Sequence, residues 1–184
     1  DVPLQVTNAF DPGDPGTLID DKPADTPAVE IITGLKTVAI ELFEQDMVGV
    51  KGYDAAILEA LKRHNVWIIS KSSNANTITH YVQASLKTAR RVVRDLEEVY
   101  PAAKISARTL GLVSAIGRDL AGLRVLRRGL AALEEAGLEM IAAQQGTRHV
   151  DVQFLLASDD MDDAVKTLHR ALVEGGSAEE RRAA

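Results

Sequence analysis

Residues 46–54, Asp-Met-Val-Gly-Val-Lys-Gly-Tyr-Asp, are the stretch of this 184-residue sequence best suited to hold a ligand. Gly49 and Gly52 let the backbone approach a bound group, and the helical pattern that begins after Gly52 brings unpaired N–H groups to the same place. That arrangement suits a carboxylate, so an amino acid could dock there. The plainer reading of the same glycines is a pair of tight turns. Elsewhere the sequence offers little chemistry: it has no G-x-x-x-x-G-K-[ST] run, no kinase-type glycine loop and no His/carboxylate cluster at metal-ligand spacing. The histidines, His64, His80, His149 and His169, are scattered and read as surface or cap residues rather than ligands. Asp159-Asp160-Met161-Asp162-Asp163 reads as a helix N-terminus, where acidic side chains complement the positive end of the dipole. No catalytic residue and no metal ligand is expected in this chain.

The elements that must position the loop follow from periodicity. Val38, Ile40 and Leu42 alternate with Thr37, Ala39 and Glu41, as in a half-buried strand. After Gly52 the spacing becomes helical, with Ile57, Leu58, Leu61 and Ala60 on one stripe. His64-Asn65 stops that helix, and Val66 to Ile69 is rich in strand formers. The same grammar returns later. Leu110 to Ile116 is a strand, Leu123, Leu126, Leu130 and Leu133 form a helical stripe, Ala136-Gly137 ends the helix, and Leu138 to Ala143 follows. Asn65-Val66 thus corresponds to Gly137-Leu138, and Ser73-Asn74 to Gln145-Gly146. Both units run on into a strand (Ile78 to Gln83, Val150 to Leu156) and a helix (Ser85 to Tyr100, Asp160 to Glu174). The chain is a duplication.

Strand counting then decides the organisation. Ala28 to Gly34 reads as a strand ending in a turn at Gly34, one strand too many for the first unit, which already has a fourth candidate in Ala102 to Ala107. The second unit ends on its helix and lacks a fourth strand. A split β-α-β-β-α-β unit needs four, so Ala28 to Thr33 is expected to cross over and complete the second unit, with the first inserted in it. Before this, Val2, Leu4 and Val6 alternate as a strand, 11–16 makes two turns, Thr17 to Ile19 is extended, and 20–27 is a polar linker.

Composition narrows the class. The chain is 46% hydrophobic with few aromatics, which favours α/β packing by aliphatic side chains, and no apolar run approaches the roughly 20 residues of a membrane helix. Its net charge is −6, and basic residues alternate with acids, as in Arg90 to Glu98, so a nucleic-acid surface is not expected. The lack of Cys excludes disulfides and thiolate chemistry and fits a cytoplasmic protein without a signal peptide.

The D-V-P-L-Q-V-T-N-A-F-D-P-G-D-P-G-T-L-I opening, the R-H-N-V helix end, A-I-G-R-D-L, the Q-Q-G turn and the closing D-A-V-K-T-L-H-R-A-L helix together resemble aspartokinases. The opening looks like the last strand of their catalytic domain and its exit. The repeats look like the paired ACT domains of their regulatory region. The resemblance implies an α+β fold of two ferredoxin-like βαββαβ ACT domains, the first inserted in the second. It places the kinase end and linker at 1–27, the first ACT domain at 37–107, the second at 28–36 plus 108–174, and a tail at 175–184. It implies dimerisation through the ACT domains and contact with an upstream kinase domain that uses ATP and Mg to phosphorylate the side chain of aspartate. This serves lysine, threonine and methionine synthesis, or ectoine synthesis in a specialised branch. This chain has none of the kinase motifs and no cofactor of its own, so alone it should not phosphorylate anything. Family members that bind lysine do so at positions matching Met47, Val50, Gly52, Tyr53, Asp54, Ile68, Ile69, Asn74 and Ala75. Here Ile69 and Ala75 replace two acids that would hold the effector's ammonium groups, a departure that speaks against lysine. A free-standing tandem ACT sensor is the alternative reading.

Overall fold

The computed structural model describes residues 2–11, 13–19 and 26–175; residues 20–25 of the expected polar linker at 20–27 and the tail beyond Gly175 lie outside them. Eight strands and four α-helices are numbered in chain order: β1 (Leu4–Val6), β2 (Thr17–Ile19), β3 (Ala28–Phe43), α1 (Tyr53–Arg63), β4 (Trp67–Ser73), β5 (Thr77–Gln83), α2 (Leu86–Val99), β6 (Lys104–Arg118), α3 (Val125–Glu135), β7 (Met140–Gln145), β8 (Asp151–Ala157) and α4 (Met161–His169), with a wider π turn over Arg170–Glu174. β1 and β2 pair as an exposed antiparallel hairpin. Its turns form as expected, with Asp11 and Asp14 side chains accepting from the amides of Gly13 and Gly16.

The remaining six strands form one antiparallel sheet in the order β4-β5-β3-β6-β8-β7. Its spine is the pairing of β3 with β6, which runs from Ala28 opposite Arg118 to Phe43 opposite Lys104. β5 pairs only with Val38–Phe43 of β3, and β8 only with Leu110–Ile116 of β6. Each long strand therefore serves both halves. What periodicity suggested as separate strands, 28–33 and 37–42, are continuous, as are 104–107 and 110–116, while 102–103 of the expected 102–107 strand lie in the turn before β6.

Gly34 is thus mid-strand, not a turn. A Cβ there would lie 2.9 Å from Val165 Cγ2 and 3.1 Å from Met161 Cγ, so the glycine admits α4 against the sheet. Helices cover one face only. Val38, Ile40, Leu42, Ile78 and Val82 pack under α1 and α2 with Ile57, Leu61, Val92 and Leu96. Val113, Ala115, Val152, Phe154 and Leu156 pack under α3 and α4 with Leu133 and Leu168. Leu58, expected on the buried stripe of α1, is 42% exposed. The stripe is carried by Ile57, Ala60 and Leu61, spaced three and four apart.

The helix-free face carries a third apolar cluster, Ala39, Tyr81, Leu110, Leu112 and Leu155, with Ile69 and Ala142 against it. The sheet rolls around this cluster until its two ends meet. Ser70 Oγ of β4 donates to Gln153 Oε1 of β8 at 2.7 Å, and Gln144 Nε2 of β7 donates to both Ser70 Oγ and Gln153 Oε1.

The duplication is visible in its details. α1 and α3 end alike, in left-handed Asn65 (φ 52) and Gly137 (φ 70). Val66 N–H donates back to Leu61 and Leu138 N–H to Leu133, while Asn65 and Gly137 donate to Lys62 and Glu134, the double bond of a Schellman motif. β4 and β7 each carry a bulge at the matching place, between Ile68 and Ser70 and between Met140 and Ala142.

Candidate functional site

The loop before α1 opens onto free space. Gly49 (φ 78) and Gly52 (φ 105) adopt a backbone that L side chains resist, and a Cβ added to either would meet nothing within 4 Å. Gly52 is the N-cap and supplies no side-chain acceptor, and the first intrahelical bond is Ala56 N–H to Gly52 O. The amides of Tyr53, Asp54 and Ala55 thus precede the hydrogen-bonded ladder and form the positive end of the helix. Met47 anchors the loop in the core at 5% exposure, and Val50 stands out at 56%. Tyr53 stacks on Tyr100, centroids 4.4 Å apart and planes 16° apart. Desolvation, then Glu44, Tyr100 and Asp46, push its phenol above the ordinary tyrosine range, so it is a neutral hydrogen-bonding group.

Asp54 is the charged centre of this junction. Lys71 Nζ of β4 donates to its Oδ2 at 2.5 Å, and its Oδ1 faces His80 Nε2 of β5 at 3.5 Å. His80 is wholly buried, not a surface or cap residue. It alternates with Ile78 and Val82 on the face that β5 turns to α1, so the sheet period carries it inside. Neither ring nitrogen has a hydrogen-bond partner among the described residues, nor has Asp54 Oδ1. Burial holds the imidazole below its usual pKa, against the pull of Asp54 and with the help of Lys71, so it is neutral near pH 7. The other histidines are part-buried or exposed. His64 caps α1 and meets Asp95 at 3.0 Å, His149 lies near Gln145, and His169 near Glu174. Among the described residues no group of His, Asp and Glu is arranged to hold a metal.

The structure brings Met47, Val50, Gly52, Tyr53 and Asp54 together, but it divides the strand residues. Ile68 pairs with Val82 and is 44% exposed on the edge strand. Ile69 takes the opposite face, against the central apolar cluster, and the bulge there brings Ser70 to that same face opposite Tyr81. Asn74 and Ala75 form the β4–β5 turn, where Asn74 Oδ1 accepts from the amides of Asn76 and Thr77, so that side chain is engaged. Asn74 lines a separate cleft of about 220 Å³ on the helix-free face with Glu41, Thr79, Tyr81 and Arg108. Two residues not expected at the site from the sequence, Lys71 and His80, adjoin Asp54. Alternation along Ile78, His80 and Val82 could have revealed His80. Lys71 required the register that sets it opposite His80.

The comparisons with known proteins narrow the class. No family model matches the chain. It is 45% identical over 94% of its length to aspartate kinase Ask_Ect of Stutzerimonas stutzeri strain A1501, and spans 37% of that curated relative. Among solved structures, E. coli aspartokinase III in complex with lysine and aspartate superposes with a TM-score of 0.71 at 21% identity, covering 94% of this chain and 39% of that one. The regulatory subunit of aspartate kinase from Thermus flavus superposes at 0.67 and 17% identity, covering 78% of this chain and 98% of that one. By fold this chain is an α+β protein of the aspartokinase regulatory type. By sequence over nearly its whole length it matches the regulatory region of an aspartate kinase, without the catalytic part.

Proposed function

We propose that this chain is the controlling part of an ATP- and Mg-dependent aspartate kinase of the cytoplasm, that it binds an amino-acid effector at the N-terminus of α1, and that it works as a homodimer. The observation that carries the reading is the α1 junction, where free helix amides, two positive-φ glycines and open space adjoin the Asp54 carboxylate. The amides and the helix dipole suit the effector's carboxylate. Lysine lies in the complex of E. coli aspartokinase III, a protein of the same fold.

We read residues 28–36 with 108–174 as one ACT unit and 37–107 as a second inserted in it. The pairing of 28–37 with 110–118, apart from the β5 pairing of 38–43, supports this division. The homodimer would use β4, an edge strand with Trp67 and Ile68 exposed, whose outer backbone groups lack a partner in the sheet. No helix among the described residues is long and apolar enough to cross a membrane.

The test is an amide-resolved NMR titration of this chain with the protein amino acids. At least one should shift Gly52, Tyr53, Asp54 and Ala55, and the same amino acid should change the rate of aspartate phosphorylation by the whole protein. If none moves these amides at millimolar concentration, the site is a bare turn.

A further inference from the structure

The α1 junction differs from a simple carboxylate site in what already occupies its acid. With a ligand's carboxylate on the amides of residues 53–55, Asp54 would be a partner at the helix end for an ammonium group on the same ligand. That acid is taken. Lys71 Nζ, reaching across from the edge strand, lies 2.5 Å from Oδ2, and Oδ1 is turned inward toward His80. His80 sits beneath the junction with no hydrogen-bond partner among the described residues, and being uncharged it neither adds to nor offsets the pair. The Asp54 carboxylate is therefore matched by an ammonium group that belongs to the protein, while the carboxylates of Glu44 and Asp46 act on Tyr53 at the same junction.

Lys71 and Asp54 are 35% and 40% exposed at their side chains, so Lys71 is free to extend into water and its place on Asp54 is a local preference. The sheet permits this contact for a definite reason. Lys71 is directly opposite His80 in the β4–β5 ladder, and the bulge at Ile69 sets the alternation so that Lys71, not Ser70, faces α1.

We propose that Lys71 is the specificity-determining residue of the α1 site: its ammonium group stands where a ligand's side-chain ammonium would bind, so the site admits amino acids with uncharged side chains and turns away diamino acids such as lysine. The proposal rests on the reading of the α1 N-terminus as an amino-acid site. A ligand with one ammonium group can be held by loop carbonyls and the helix amides. One with two must displace Lys71 or lie beside a like charge.

The experiment titrates the full chain, Lys71→Met, and Lys71→Met with Asp54→Asn, with L-lysine and L-threonine, reading heat by calorimetry and the amides of residues 52–55 by NMR. Removing the protein's own ammonium frees a partly exposed carboxylate, so lysine should bind Lys71→Met at least about tenfold more tightly than wild type. Threonine affinity should change by less than about threefold, and the lysine gain should vanish in the double variant. If Lys71→Met leaves the lysine-to-threonine ratio unchanged while threonine still shifts the amides, Lys71 is not the selector and the amino-acid site stands. If neither ligand shifts them in any variant, the site reading and this proposal fall together. Lys71→Gln, which removes the charge but keeps a polar chain, replaces Lys71→Met should the latter not melt cooperatively.

Discussion

Replacing Gly129 with alanine sets two known effects against each other. Gly129 is inside α3, where alanine is favoured over glycine by about 0.8–1.0 kcal/mol on helix propensity alone. The added Cβ, however, would lie 2.3 Å from Phe154 Cζ, 2.9 Å from Cε1 and 3.2 Å from Leu168 Cδ2. Phe154 and Leu168 are fully buried in the core under α3 and α4, so neither can swing into solvent. Overpacking of this kind costs about 1–3 kcal/mol, and the shortest contact argues for the upper part of that range. The net expectation for Gly129→Ala is a loss of about 1–2 kcal/mol, a fall in melting temperature of roughly 2–8 °C for a chain of this size. Urea unfolding followed by circular dichroism gives the number, with Gly122→Ala as control. Gly122 has nothing within 4 Å of a built Cβ, so that change should stay within about 0.5 kcal/mol. Phe154→Leu should couple favourably with Gly129→Ala, since trimming the ring removes the clash. A Gly129→Ala protein as stable as wild type would refute the packing argument, because propensity would then have won.

His80 should make stability depend on pH. Its folded-state pKa lies below the ordinary 6.5, so stability is full above that value and declines as pH falls below it, when the unfolded chain takes up a proton that the folded one refuses because the ring is buried, despite Asp54 and with the help of Lys71. The slope is at most about 1.4 kcal/mol per pH unit. His80→Gln should flatten the urea midpoint between pH 7 and 5, and unchanged slopes would contradict the assignment. Trp67→Lys, on the exposed edge of β4, should weaken the proposed homodimer by about thirtyfold or more in sedimentation equilibrium, as loss of an aromatic anchor does. A wild-type chain that stays monomeric at high concentration would count against the edge as an interface.

What the sequence by itself determined is local and repeated. Asn65 and Gly137 mark the helix ends because the left-handed conformation has few takers, and both close the same pair of backbone bonds. Gly49 and Gly52 marked the loop for a related reason, and the 2.0 and 3.6 periods placed both cores. Tertiary structure decided the rest. That 28–43 and 104–118 each run unbroken through two halves could not be read from alternation, because Gly34 looks like a break until α4 is packed so close that a Cβ there would lie 2.9 Å from Val165. Which faces Ser70 and Lys71 take depended on one bulge, and a bulge shifts every later side chain of its strand by one without any mark in composition. The contact of Lys71 with Asp54 follows from that shift together with the register to β5. It joins residues 17 apart in sequence, and only the folded sheet sets the distance between them.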